Sequence, residues 1–586
     1  MKEYFDVQNL KIAWERCCRD TNRDVKDYAG IDLFGFSIEE NLKNLSDILL
    51  SGEYKPSRPA KFYEPKSTGT QRTKTILCIE DAIVYQCITD KIATLAYEES
   101  NQYESFVFGS VLHPEVALGS SILKSDNPQF YFFEFWMEKW TKFADSVNNE
   151  VEDRSVSYKL ETDITGFFDC IPHSKLLQLI FKKYSIDKKV VNLLNTCLNR
   201  WSGTAESTTP GVGIPQGPQA SFFLANLYLT EIDSILVNKG LSYYRYMDDI
   251  RIYSSSKDEL LEVLVLIDKY LKSNGLSINS KKTLIEVLSE DRDEEKIDVK
   301  DILEYLNIST VLKDLFIVEA DENQLKTPLK KTNLKKSEVD LHDLGEQFGS
   351  SSSQIGQQTK EFNFKNEKEA KNYLKEELKA FDKEINTRIK IKNTVVQFKN
   401  PKQVDENPRK AQKEWLKLGY EYRSLLNLSD SLDLGYKADE KYFSVWLFIS
   451  MSFIAKANQF NWILTRYPAS SENKKTLFDH VEQSKLYEWV QHQFITTLAI
   501  SQKLSNEELR RCFKKMKNSE SFYVKLAYYN LLIHQVNESH QLYATINNSI
   551  TQEKDLFLKS TLLHYIDKKN QGQLSKHDIA KTIGLL

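Results

Sequence analysis

The chain has 586 residues, enough for about three domains that each bury a core. Its 79 Lys and Arg residues against 83 Asp and Glu residues give a formal net charge of −4. That balance excludes a uniformly basic nucleic-acid protein and confines any basic channel to a local surface.

Residues 1–10 are charged and short of apolar side chains, so no signal peptide is expected there. The seven cysteines (Cys17, Cys18, Cys78, Cys87, Cys170, Cys197, Cys512) form no CxxC pair and no His-bearing zinc spacing, and read as reduced, cytosolic residues. Residues 158–163 read as a strand that ends on Asp163; Gly166 then marks a turn, and a helix is expected from near His173. Gly211, Gly213 and Gly217 frame a loop around Pro215 and Gln216. It runs into a buried helix carrying Phe222, Phe223, Leu224, Ala225, Leu227 and Leu229.

Residues 244–253 place Asp248 and Asp249 between two β-prone runs, Tyr244 and Tyr246 before them and Ile250, Ile252 and Tyr253 after. A tight hairpin turn there pushes both carboxylates out at its tip. Read alone, the pair fits a solvated turn as well as a site for hard divalent cations.

The second half has a different texture. Lys326, Lys330, Lys331, Lys335 and Lys336 form either a thumb contact or a solvated face. Residues 345–358, rich in Ser, Gly and Gln, read as a flexible loop or linker. Ala370, Leu374, Leu378, Phe381 and Ile385 fall at helical spacing, and Pro401 and Pro408 flank a polar break. From Trp415 onward, apolar segments around Trp446, Trp489, 522–532 and 556–566 predict paired helices in a repeat-like array. The most apolar stretch, 442–455, is too short to span a bilayer and reads as a buried helix.

The segments around Asp163, Gln216 and Asp248-Asp249 resemble, in order, the A, B and C motifs of reverse transcriptases. Tyr246-Met247-Asp248-Asp249 and Pro215-Gln216-Gly217 are closer to that family than to viral RNA-dependent RNA polymerases. Upstream, Tyr54-Lys55-Pro56, residues 65–72 and residues 79–86 resemble the fingers of retron and group II intron enzymes, with Ala82 where an Arg is common. Downstream, residues 275–283 resemble motif D and Glu304-Tyr305-Leu306-Asn307 motif E, so the likeness covers residues 50–310.

The resemblance implies an α/β polymerase fingers-palm with an antiparallel palm sheet, followed by an all-α, helical repeat-like C-terminal domain. The divisions are fingers and palm over 1–320, a thumb or linker region over 321–400, and the helical domain over 401–586. It implies deoxynucleotide addition by two-metal phosphoryl transfer, with two Mg2+ ions held by Asp163, Asp248, Asp249 and the carbonyl of Ile164. Lys66 and Arg72 would neutralise the triphosphate, or else form an exposed basic loop. Lys282 would stabilise or protonate the departing pyrophosphate, or else end a solvated helix.

Phe168, five residues after Asp163, matches the bulky side chain that packs against the nucleotide sugar, which makes deoxynucleoside triphosphates the substrates and DNA the product. At least one of Phe167 and Phe168 also reads as an ordinary core aromatic. Gln216 and Gly217 would approach the templating base pair. Asp169 is expected to cap or orient the next helix.

No RNase H carboxylate set, integrase pattern or Cys/His endonuclease motif is visible. A helical C-terminal half without them resembles the bacterial abortive-infection and defence-associated reverse transcriptases. That likeness implies a cytoplasmic antiphage role, RNA-directed or template-independent synthesis, priming from a protein hydroxyl and assembly into homo-oligomers, with no membrane. It leaves open whether a non-coding RNA takes part. A retron or intron-type enzyme copying a dedicated RNA, and a nucleic-acid-binding scaffold, are the alternatives.

Overall fold

The computed structural model describes residues 1–19, 26–66, 69–297, 367–392, 395–406, 408–431, 441–467 and 470–575. The motif E candidate, the Lys326–336 cluster and the Ser/Gly/Gln stretch lie outside these residues. The described chain is mostly helical, with three small antiparallel sheets.

The N-terminal third is organised by the helix Ile79–Asn101, whose Glu80 and Asp81 sit in the first turn where the helix dipole favours acids. The helix Val7–Arg19 lies against it through Leu10, Ala13 and Trp14. Beneath that apolar contact Arg16 and Asp90 form a buried ion pair at 2.7 Å, and Gln86 donates to the same carboxylate at 2.6 Å. The strands β1 (Ala60–Pro65) and β2 (Gln71–Ile76) form a hairpin, in a register that pairs Phe62 with Lys74 and Glu64 with Arg72.

A four-stranded sheet contains β3 (Tyr158–Asp163), β4 (Ser242–Tyr246), β5 (Asp249–Ser254) and β6 (Leu284–Val287), in the spatial order β4-β5-β3-β6. Alternation along the strands sorts the two faces. Leu160, Tyr243, Ile250 and Ile252 point into a core with the helices Gln219–Tyr228, Thr230–Asn238 and Lys257–Ser273. Tyr253 and its neighbours face the helix Trp136–Glu152 through Phe143 and Val147.

In the C-terminal half, Leu374, Leu378, Phe381 and Ile385 are buried along the helix Glu367–Arg388, as their spacing predicts. A hairpin, β7 (Ile389–Lys392) and β8 (Val395–Phe398), follows. Beyond it every regular element among the described residues is a helix. Pro401 and Pro408 each open a helix, Pro401–Glu406 and Pro408–Ser431, because proline's fixed φ and missing N–H suit the first helical position. Phe381 stacks on Tyr422 at 4.2 Å with nearly parallel rings, and the helix Lys441–Ser452 buries Phe443, Val445 and Trp446 beside them.

The helices Glu488–Ser501 and Phe522–Gln535 pack face to face. Their apolar core runs on into the β1–β2 hairpin, since Ala60, Phe62 and Ile76 belong to the same cluster as Trp489 and Tyr523. Among the described residues no single helix is long and apolar enough to cross a membrane. The bent pair Gln219–Tyr228 and Thr230–Asn238 passes such a test by length and composition, and in the fold it packs in the core beside the four-stranded sheet. None of the seven cysteines forms a disulfide.

Candidate active site

β4 and β5 are joined in a register that pairs Tyr246 with Asp249, so Met247 and Asp248 alone form the loop. Met247 has φ 56, a left-handed conformation that costs a non-glycine residue about 1 kcal/mol or more. Its neighbours hold it there. Arg245 Nη1 donates to the Met247 carbonyl at 2.8 Å, and Ser110 Oγ lies 3.1 Å from Met247 Sδ. Gly109 packs so close that a Cβ on it would stand 2.5 Å from the Met247 amide nitrogen.

Arg245 is itself fully buried and paired with Asp233 of the helix Thr230–Asn238, Nη2 to Oδ2 at 2.5 Å and Nε to Oδ1 at 2.8 Å. The Tyr243 hydroxyl donates to the same carboxylate at 2.6 Å. Neither Arg245 nor Asp233 stands out in the sequence as a functional residue. The available signal is that Arg245 shares strand parity with Tyr243, on the face that must be buried, and a buried guanidinium needs an acid.

Asp163, the last residue of β3, lies directly opposite Asp249 of β5. Its Oδ2 accepts from Lys282 Nζ at 2.8 Å and from Asn279 Nδ2 at 3.2 Å. The segment carrying these two groups is bonded to the end of β3, Asn279 N to Asp163 O at 2.7 Å and Thr165 N to Ser277 O at 2.9 Å. Ile164 sits between them opposite Ile278, and its carbonyl is not an acceptor in either of those two bonds.

Burial pushes the Asp248 carboxyl up to about 6; Asp163 and then Asp249 add to the rise, and Lys282 opposes it. Burial also raises Asp249, against the pull of Arg251, whose Nη2 lies 3.6 Å away. Among the described residues no three His, Cys, Asp or Glu side chains converge into a ready-made metal cage. The donor set still suits a hard divalent cation: oxygen ligands of like charge whose mutual repulsion such a cation would relieve.

The β1–β2 hairpin supplies the opposite charge. Lys66 is exposed at the hairpin turn, which is closed by Lys66 N to Thr70 O at 2.7 Å and Gly69 N to Lys66 O at 2.9 Å. Arg72 pairs across the hairpin with Glu64 at 3.5 Å. Lys66, Lys61 and Arg72 all act on Asp169, whose carboxyl burial raises and these three cations lower. Asp169 therefore lies in the field of the β1–β2 cations and does not cap a helix: its own short helix Phe167–Cys170 has no side-chain cap, and Pro172 is the N-cap of His173–Tyr184.

Lys61 has no counterpart in the sequence reading. Its amine donates to the Gly203 carbonyl at 2.7 Å, and burial pushes it down to about 8.

The loop 211–217 joins the two charged neighbourhoods. Ile214 N donates to Phe168 O at 2.8 Å, and Thr75 N of β2 donates to Gln216 O at 2.8 Å. Gly217 has φ 147, and a Cβ there would meet the Thr75 carbonyl oxygen at 2.6 Å, so only glycine fits this crossing. Phe167 and Phe168 are both buried; the Phe168 ring lies edge-on to Phe222 at 5.1 Å. The structure thus gathers Asp163, Asp248, Asp249 and Lys282 at the end of β3 and the β4–β5 loop, and leaves Lys66 and Arg72 on the β1–β2 hairpin, where both act on Asp169, with Phe168 and Gln216 bonded through their carbonyls to Ile214 and Thr75.

Residues 65–340 match the family model described as reverse transcriptase (RNA-dependent DNA polymerase). An uncharacterized 91 kDa protein encoded in a cob intron of Schizosaccharomyces pombe is 31% identical over 135 residues, covering 23% of this chain and 16% of that protein. The retron Ec86 reverse transcriptase of Escherichia coli is 25% identical over 150 residues, covering 25% of this chain and 43% of its own. The chain spans less than half the length of the curated relatives it matches. A telomerase from Candida albicans, solved in complex with a fragment of telomeric RNA, aligns over 85% of this chain and 71% of its own, at 12% identity and a TM-score of only 0.29. Residues 65–340 thus carry a reverse transcriptase domain.

Because the Asp248 carboxyl is raised from 3.8 to about 6, the folded state favours its neutral form. Its ionisation therefore costs stability increasingly from about pH 4 and fully above about pH 6. Thermal unfolding in a chelator should show Asp248→Asn more stable than the parent at pH 8, with the gap closing by pH 4. Asp233→Ala strands the Arg245 charge in the core and should cost roughly 3–5 kcal/mol, read as a lower urea midpoint.

Proposed function

We propose that this chain is an RNA-directed or template-independent DNA polymerase that adds deoxynucleotides by two-metal phosphoryl transfer. The observation that carries this reading is the placement of Asp163 opposite Asp249, with Asp248 at the braced tip between β4 and β5. Asp163, Asp248 and Asp249 would hold magnesium, with the Ile164 carbonyl as a backbone donor. The ions, when bound, would neutralise the attacking and leaving oxygens of an in-line displacement.

The remaining work falls to the chain's own groups. Lys66 and Arg72 receive the triphosphate, one as a point charge and one as a planar fork. Lys282, already held at the site by Asp163, would stabilise or protonate the departing pyrophosphate. Phe168, fixed by Phe222, presents the ring that would exclude a 2′-hydroxyl. The 216–217 backbone, pressed against β2, sets the surface on which the templating pair rests.

We place this activity in cytoplasmic antiphage defence, with homo-oligomeric assembly, on the strength of a helical second half in place of a recognisable nuclease or integrase domain. The likeness to the retron Ec86 reverse transcriptase favours a second reading, an enzyme that copies a dedicated non-coding RNA.

Purified protein supplied with magnesium and labelled deoxynucleotides, with and without added RNA, separates these readings. Product without template, absent from Asp248→Ala/Asp249→Ala, supports template-independent synthesis. Product that requires a co-purified RNA supports the retron-like reading, and no product under any condition sinks both. In the same assay Phe168→Ala should raise ribonucleotide incorporation relative to deoxynucleotide incorporation by roughly tenfold or more, measured as the ratio of kcat/KM values.

A further inference from the structure

The strand β1 is held from two sides, and its alternation decides which residue meets which neighbour. Lys61 and Tyr63 turn toward the palm loop after the helix Lys188–Trp201: the Lys61 amine bonds Gly203 O at 2.7 Å, and the Tyr63 hydroxyl donates to Glu206. Phe62 turns the other way, into a slot of the helical domain. It stacks on Trp489 at 5.0 Å and on Tyr523 at 4.5 Å.

Two polar contacts from the same helical domain accompany this aromatic one. The Tyr63 backbone N–H donates to Glu488 Oε1 at 2.9 Å, and the other oxygen of that carboxylate accepts from the Ser521 hydroxyl. At the turn, the Tyr487 hydroxyl donates to the Gly69 carbonyl at 3.1 Å. Gly69 is in the left-handed region at φ 82, and its amide closes the turn onto the Lys66 carbonyl. Tyr487 therefore grips the loop that presents Lys66, from a point more than four hundred residues away in the chain.

We propose that Tyr487 and Glu488 are positioning residues for nucleotide addition: through them the helical domain holds the fingers hairpin at the height over the palm where Lys66 and Arg72 meet a triphosphate, and so sets nucleotide affinity. This rests on the polymerase reading of the site. A hairpin tied to the palm alone, by the Lys61, Tyr63 and Thr75 bonds, would keep its fold but gain freedom at the 66–70 turn. The cost would appear in binding the nucleotide and not in the chemical step, because the palm carboxylates are untouched.

The test uses the intact chain as Tyr487→Phe, which deletes one oxygen, and Glu488→Met, which keeps the length and removes both acceptor oxygens. Asp32→Asn serves as a control, since Asp32 meets His564 at 3.1 Å and Lys568, a tether between the helical domain and the N-terminal helix Tyr28–Phe36. Two quantities are read: steady-state KM and kcat for deoxynucleotides, and hydrogen exchange of the amides of residues 60–76. Each hairpin variant should raise KM about three- to tenfold, as expected for one lost hydrogen bond, with kcat within about twofold of the parent. Exchange at Tyr63 or Gly69 should quicken, and the control should do neither.

Unchanged hairpin exchange in both variants overturns the proposal, as does an equal rise in KM in the control or a fall in kcat at constant KM. If the parent protein incorporates no nucleotide, the polymerase reading fails with the affinity half of the proposal, and hairpin exchange alone then decides whether the tether exists.

Discussion

The ion pair between Arg245 and Asp233 is the interaction on which the site depends. A guanidinium with no solvent exposure would be prohibitively costly without its acid, and with it becomes a rigid post under the β4–β5 loop. The post holds the Met247 carbonyl, the carbonyl helps hold a backbone conformation that methionine does not favour, and that conformation turns Asp248 outward next to Asp249. Strain at the tip is thus tolerated because the core beneath it allows no other arrangement.

The acids in turn explain what surrounds them. Asp163, Asp248 and Asp249 repel one another, so the basic groups nearby take paired positions that temper the repulsion, Lys282 on Asp163 and Arg251 beside Asp249. Elsewhere the charges are reversed: Lys61, Lys66 and Arg72 all lower the Asp169 carboxyl, while Arg72 also pairs with Glu64. A chain with a net charge of −4 can carry such a site because its basic groups are concentrated locally.

What was legible in the sequence is what is encoded over short distances. The β4–β5 hairpin follows from alternation around Asp248 and Asp249, and the helix Glu367–Arg388 from four apolar residues at helical spacing. Pro401 and Pro408 misled because a proline that breaks one helix also opens another, and the sequence alone does not say which side continues. The partner of Asp169 was hidden for a different reason. Lys61, Lys66 and Arg72 stand about a hundred residues before it, and nothing local in either segment announces the other. Arg245 lay in plain view inside the motif, yet its role needed Asp233 on a neighbouring helix to be seen.

Phe62 has a consequence for how the chain divides. The stretch that matches the reverse transcriptase family ends at residue 340, whereas the apolar cluster holding Ala60, Phe62 and Ile76 is completed by side chains from residue 374 to residue 565. A boundary drawn by family likeness therefore cuts through a hydrophobic core, leaving an aromatic ring and two aliphatic side chains facing water on one fragment and an open slot on the other. The unit of evolutionary kinship and the unit of cooperative folding are not the same piece of polypeptide here. The β1–β2 hairpin belongs by packing to the helices.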